Sequence, residues 1–302
     1  MQQYYRSPEG IRWRTAAEGI PPATRMISSP HDLDARYAKK YTTSWIGYKV
    51  HVTQSCETDA LHLITHVETT AGPIADGAVT TAIYEALQVK QLLPQRHIVD
   101  TGYLDAELLL TSQRAYGVEL LGPTRPDYHW QARAGQGFGA GSFVIDWERR
   151  QATCPLGRQS SSWTPVIDGR NNAVIKIKFA QHDCQSCPSL LACTRATRRT
   201  ISVRPHAQYL SFQAAQLREQ TAAYQAEYAK RAGIEGTISH AVRACGLRRA
   251  RYVGAAKTHL QHVLTAAAIN FIRPGRWLAG DRATQTRLSP FVALLKRATS
   301  AA

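Results

Sequence analysis

The sequence predicts an α/β protein: a mixed sheet flanked by helices, with a Cys-containing, β-rich insertion before the last helical part. Three observations lead there. Two alternating runs rich in β-formers, Gly47–Thr53 and Leu61–Val67, flank the polar loop Glu57-Thr58-Asp59 and read as a hairpin. Strand and helix patterns then alternate as far as Gly122, which suits a sheet with both parallel and antiparallel pairs. At Pro123 the chain turns Gly-rich, aromatic and short-stranded, and from Gln208 it becomes helical again.

Taken in order, residues 1–44 form an extended entry segment with turn signals at Pro21-Pro22 and Ser28-Ser29-Pro30. A first core part covers residues 45–124. Beyond the hairpin it holds a helix from Asp76, the expected N-cap, to Leu93, with Ala78, Ile83, Leu87 and Leu92 as apolar positions. A short buried strand, Arg96–Asp100, stops at Thr101-Gly102-Tyr103. A second helix runs from Ala106 to Tyr116 and ends at Gly117, and a strand follows over 118–122. Residues 125–205 are the insertion, with a turn at Ile167-Asp168-Gly169-Arg170. Residues 206–275 return to the core as helices over Gln208–Lys230 and Lys257–Ile272, the latter with an apolar face of Leu260, Val263, Leu264, Ala267, Ala268 and Phe271. Residues 276–302 form a basic tail.

Charge separates these parts. The 302 residues carry 37 Lys and Arg against 22 Asp and Glu, a net of +15. Residues 1–130 are close to neutral at −2, so the remainder carries +17. Such asymmetry points to a polyanionic partner, nucleic acid or an anionic surface. A hydrophobic share of 44% excludes a uniformly disordered chain. No apolar run approaches the roughly 20 residues of a membrane span. The start Met1–Arg6 lacks the apolar core of a secretory signal, so a cytoplasmic location is expected, nucleoid-associated when bound to DNA. Six Cys are too few for a disulfide scaffold at this length.

Asp100 ends a strand, where side chains of open α/β sheets line the functional crevice; the alternative is a turn Asp that satisfies the Thr101-Gly102 backbone. Tyr228, Arg231 and Glu235 stand at i, i+3 and i+7, one face of a helix offering a phenol, a guanidinium and a carboxylate. Glu235 is nearly isolated among bases: from Arg195 onward 18 basic side chains face only Glu219, Glu227, Glu235 and Asp281. A solvated Arg231–Glu235 pair is the competing reading. Arg243, Arg248, Arg249, Arg251 and Lys257 follow, with Tyr252 among them, a pattern suited to tracking a DNA backbone. In the insertion, Cys154, Cys184, Cys187 and Cys193 would suit a closed tetrahedral Zn²⁺ site, with His182 in reserve; free thiols in a loop-rich segment are the alternative. Cys56 and Cys245 read as packing residues, and His51, His62 and His66 receive no role.

Tyr228-x2-Arg231-x3-Glu235 resembles the signature around the last acid of bacterial insertion-sequence transposases with an Asp-Asp-Glu triad. Val99–Tyr103 looks like the segment carrying their second Asp. Gly233–Thr237 and Lys257–His262 are also similar to this group. The resemblance implies an RNase H-like core. Asp100 and Glu235 would hold two Mg²⁺ (or Mn²⁺) ions about 4 Å apart at a scissile phosphate. Tyr228 and Arg231 would contact phosphates of double-stranded DNA, at transposon ends and target, with the protein as a homodimer and no membrane partner.

Two positions depart from the pattern. The Lys that the group often has seven residues after the Glu is Val242 here. No Asp-Ser-Thr or Asp-Gly-Thr strand precedes Gly47, so either Asp32 supplies the first catalytic acid or that acid lies upstream of Met1 and the chain is N-terminally truncated; truncation is the favoured expectation. The leading function is thus a DDE transposase, with phosphodiester hydrolysis and then strand transfer. Beside it stand a catalytically inactive DNA-binding remnant and a zinc-bearing nucleic-acid-binding module.

Overall fold

The computed structural model describes residues 3–280, which fall into two compact units. One comprises the residues up to Leu93 together with those from Ala229 onward, and the other runs from Pro94 to Tyr228.

The first unit opens with an antiparallel ribbon of β1 (Tyr4–Ser7) and β2 (Gly10–Trp13), where the Tyr4 and Trp13 rings lie 4.7 Å apart. The entry segment is therefore not merely extended. It also supplies β3 (Arg36–Lys40), the edge of an antiparallel sheet with β4 (Thr43–Gln54) in the centre and β5 (Ile64–Ala71) beyond. The expected hairpin is present, with Val52 opposite Val67 and a longer connection than the polar loop alone. Just past β5, Gly72 comes tight against β3, where a Cβ would stand 2.8 Å from that of Ala38. A 3₁₀ turn, Asp76–Val79, leads into α1 (Thr80–Val89), which buries Ile83, Tyr84 and Leu87.

Asp76 is not the N-cap. Ala75 holds that position, and the Asp76 carboxylate instead takes Lys49 Nζ at 2.9 Å, because Lys49 reaches across from β4 and also donates to the Ile74 carbonyl. The helix stops at Val89, short of Leu93, since Gln91 adopts a left-handed φ of 58° and Leu92 N–H turns back to the Leu87 carbonyl.

In the second unit β6 (Arg96–Ile98) pairs in parallel with β7 (Glu119–Leu121) through the crossover helix α2 (Ala106–Tyr116). The Asp105 carboxylate caps α2 by accepting from Glu107 and Leu108 N–H, and Gly117 ends it at φ 68°. The insertion brings α3 (Trp130–Ala134), a ribbon of β8 (Val144–Asp146) and β9 (Gln151–Thr153), then β10 (Ser160–Ile167) and β11 (Ala173–Phe179). Short helices α4 (Gln181–Gln185) and α5 (Leu190–Cys193) precede β12 (Thr200–Val203), which completes the sheet β10-β11-β12. Phe143, Ala152, Ile177, Phe179, Ile201 and Val203 form its core. The unit ends in α6 (His206–Glu219) and α7 (Ala222–Ala229), which interrupt the single helix expected over 208–230. Glu119 ties α6 to β6 by pairing with Arg218 and, at 2.7 Å, with Arg96.

The chain then returns to the first unit as α8 (Ala232–Cys245) and α9 (Ala255–Leu278). Ala241, Leu247, Ala266 and Ile269 pack on Ile64 and Val67. Burying side chains of that size contributes on the order of 1.5–3 kcal/mol each for Val, Leu or Ile. Asn270 adds specificity by bonding both the N–H and the carbonyl of Ile64, at 2.9 and 2.8 Å.

The architecture is mixed α/β. The antiparallel and parallel parts of the expected sheet are both present, as separate sheets among the five that the described strands form. No described helix is long and apolar enough to cross a membrane. The basic tail expected over 276–302 begins inside α9, and its residues from 281 lie outside the described residues.

Candidate functional site

Asp100 follows β6 at the carboxyl end of a parallel strand and caps the 3₁₀ turn Thr101–Tyr103, its Oδ1 accepting from Gly102 N–H at 2.8 Å. Its place is set by backbone packing. Val99 N–H donates to the Leu121 carbonyl at 2.8 Å, and a Cβ on Gly122 would stand 2.6 Å from Val99 O. Only glycine allows that approach.

Glu235 lies in the first turn of α8, where the helix dipole favours a carboxylate. Its side chain is 67% exposed, and Arg231 Nη1 pairs with Oε1 at 2.7 Å. The i,i+4 pair is thus formed, while the continuous Tyr228–Glu235 helix is not. Tyr228 sits in α7, stacked on Tyr224 at 5.7 Å, and Arg231 is the residue before α8. The interruption falls at Lys230-Arg231, while Gly233 and Gly236 are both accommodated inside α8. Gly233 also seats α8 against β4, a Cβ there meeting Gln54 Nε2 at 3.6 Å. One turn on, buried Thr237 donates to Gln54 Oε1 at 2.6 Å and accepts from Arg273, which also donates to the His62 carbonyl at 2.7 Å.

Asp32 stands elsewhere in the first unit. Oδ1 accepts from the Asp34 and Ala35 N–H groups, both oxygens stand 2.9 Å from the Tyr48 hydroxyl, and Oδ2 accepts from Gly254 N–H at 3.0 Å. Partial burial works to raise its pKa, but the bonds from Gly254, Tyr48, Asp34 and Ala35 outweigh that and hold it below the ordinary carboxylate value. The Tyr48 phenol is pushed up by burial and by Asp32. Asp34 Oδ2 accepts from Ala255 N–H at 3.1 Å. Gly254, the α9 N-cap, has no side chain to cap with, and two carboxylates from the entry segment replace it.

The basic residues cluster on α8, on α9 and between them. Arg243, Arg248, Arg249, Arg251 and Lys257 are all exposed. Their backbone is fixed by a residue the sequence reading passed over. Buried Gln261 accepts from Arg251 N–H and donates to the Arg249 carbonyl, both at 2.8 Å, which leaves the guanidinium groups facing outward. Val242, which replaces the group's frequent Lys, packs on the core.

Cys154, Cys184, Cys187 and Cys193 line one cavity in the second unit together with Phe179 and Arg199. None of the six cysteines is joined in a disulfide, and Cys56 and Cys245 belong to the other unit. His182 pairs with Asp183 at 3.1 Å. Among the described residues no three His, Cys, Asp or Glu side chains stand as a ready metal-holding group. Arg199, which no motif flagged, is buried beside the thiols.

The fold and these residues describe a mixed α/β protein with an exposed acid beside a basic segment. Residues 153–274 match the family model described as the transposase DDE domain. The match spans Glu235, the basic segment and the four cavity cysteines, and it supports a DDE transposase. No curated protein matches the chain, and no solved structure does.

Proposed function

We propose that the protein is a DDE-type DNA transposase, in which metal-dependent phosphodiester hydrolysis at insertion-sequence ends precedes strand transfer, on an RNase H-like core. The single observation that carries this is the transposase DDE match over 153–274, a range that includes Glu235 and the basic segment. Asp100 lies outside the matched range, and its role rests on its place at the carboxyl end of β6.

Asp100 and Glu235 each offer the carboxylate donor that suits Mg²⁺, a hard ion that takes one or two carboxylates and fills its shell with water and phosphate oxygens. When bound, such ions supply Lewis-acid polarisation of the phosphodiester and stabilise the attacking and leaving oxygens. The protein's own part begins with the Arg231–Glu235 pair. A phosphate drawing Arg231 into bidentate contact releases Glu235 Oε1, so DNA arrival and release of the acid from its ion pair are coupled. The exposed side chains of Arg248, Arg249, Arg251 and Lys257 hold the backbone in register without reading bases. We assign Asp32 an anchoring rather than a catalytic part, because the protein's own donors occupy both its oxygens.

That same engagement of Asp32 favours a second reading, a DNA-binding remnant that lacks the first acid. Purified chain with Mn²⁺ and a labelled transposon-end duplex separates the two. Nicking lost in both Asp100→Ala and Glu235→Ala supports the enzyme. Binding without nicking by the parent supports the remnant, and nicking that survives both substitutions overturns the site.

A further inference from the structure

Four cysteines and a buried arginine in the second unit meet at one small cavity. Its volume is about 30 Å³, above the roughly 10–15 Å³ that one water requires, so it admits a small occupant. The thiols arrive from three places. Cys154 opens the turn Cys154-Pro155-Leu156-Gly157, closed by Gly157 N–H to the Cys154 carbonyl at 2.9 Å, with Gly157 at φ 83°. Cys184 and Cys187 share a second turn, closed by Cys187 N–H to the Cys184 carbonyl at 3.1 Å. Cys193 ends α5.

Two further observations call for negative charge on the thiols of this corner. Arg199 N–H donates to Cys184 Sγ at 3.4 Å, the kind of bond that stabilises a thiolate more than a thiol. The Arg199 side chain is buried, at 8% exposure. Its guanidinium donates only to the Cys193 and Phe138 carbonyls, at 3.1 and 3.2 Å, lies over the Phe143 ring, and leaves Nε with no partner. A permanently charged side chain so placed, bonded to carbonyls alone, is costly. Four thiolates around a divalent cation carry a net charge of −2 and would offset it.

We propose that Cys154, Cys184, Cys187 and Cys193 bind one Zn²⁺ ion in a closed structural site, with Arg199 as its buried counter-charge. Binding exchanges four S–H bonds for four Zn–S bonds and releases the four protons to water; no oxidation state changes. The thiols must rotate inward to close on the ion, since no three of them already stand as a metal-holding group. With four protein ligands no position is left for substrate, so the site holds the insertion together and performs no chemistry.

The test uses the full chain and no DNA, so it stands apart from the transposase reading. Zinc content after purification under reducing conditions should be one equivalent. Metal-free protein titrated with Co²⁺ should develop the d–d and sulfur-to-cobalt charge-transfer bands of tetrahedral thiolate coordination, saturating at one equivalent. Cys187→Ser should lose the zinc, while Cys56→Ser and Cys245→Ser keep it. Arg199→Met should weaken zinc binding by roughly 10- to 100-fold, the usual effect of removing a group that supports the ligands. If Cys187→Ser does not fold, the cobalt titration of the parent decides. A parent without zinc that gives no thiolate bands with Co²⁺ overturns the proposal, as does zinc retained in Cys187→Ser but lost in Cys56→Ser or Cys245→Ser.

Discussion

Gly254 N–H donates to Asp32 Oδ2 at 3.0 Å, joining two residues 222 positions apart. The contact makes the entry segment the N-terminal cap of α9. Asp32→Ala removes four donors' partner at once and takes away one of the two carboxylates at the N-terminus of α9, leaving Asp34 on Ala255 N–H. Loss of a cap costs about 0.5–2 kcal/mol, and the unpaired Tyr48 hydroxyl adds to it. The folded carboxyl lies below its unfolded value of 3.8, so its contribution is present above that pH and is lost as pH falls through the folded value. Urea unfolding of parent and Asp32→Ala at neutral pH should show this loss, and the difference should shrink on acidification below about pH 4. An unchanged urea midpoint together with lost nicking would return Asp32 to the catalytic set.

A second pH effect acts on α9 from its other face. Thr69 Oγ1 stands 2.7 Å from His262 Nδ1 and 3.1 Å from His259 Nδ1, so one hydroxyl serves two imidazoles. Burial, then the neighbouring His259, pushes His262 down to about 4 from 6.5. His66 on β5 is lowered by burial too, with Lys90 adding to it. For a base whose folded pKa is depressed, the unfolded state binds the proton first. Stability should therefore fall as pH drops from 6.5 toward 4, by at most about 1.4 kcal/mol per pH unit for each proton. His262→Gln, which keeps a polar partner for Thr69, should flatten that slope. A slope that does not change would show that His262 is not its source.

These two relationships show where the sequence was legible. Period-two alternation exposed the β4–β5 hairpin, and α2 runs from Ala106 to Tyr116 and ends at Gly117 as its pattern indicated, because those signals are local. β1, β2 and β3 lay hidden in the entry segment, whose short runs carry too few residues for a period to show. Asp76 looked like a cap until Lys49, from a strand 27 residues away, claimed its carboxylate. The Tyr228–Glu235 face had the right spacing, yet α7 ends at Ala229 and α8 begins at Ala232, so the turn at Lys230-Arg231 interrupts the helix that the spacing assumed. Asp32, Gln261 and Arg199 act through contacts to backbone atoms distant in sequence or outside any motif, and no periodicity encodes those.

The basic segment gives a prediction that separates phosphate contact from a merely solvated face. Gln261 holds the backbone at Arg249 and Arg251, so replacing side chains there leaves its two bonds intact. Arg248→Ser, Arg249→Ser, Arg251→Ser and Lys257→Ser combined should cost little stability, since exposed substitutions usually stay within about 0.5 kcal/mol each. Duplex DNA affinity measured against salt should respond differently. Each phosphate contact contributes about 0.9 to the slope of log K against log salt, so losing all four should reduce its magnitude by roughly 3 to 4. Lys39 and Lys40, exposed on β3 in the near-neutral part, provide the control, and replacing both should leave the slope as it was. A change of less than about 1 in the quadruple variant, with the fold intact by urea midpoint, would mean that these side chains do not touch the DNA backbone. Intermediate variants should step through the slope one contact at a time, which a general loss of positive charge would not do once the screening length falls below the spacing between the side chains.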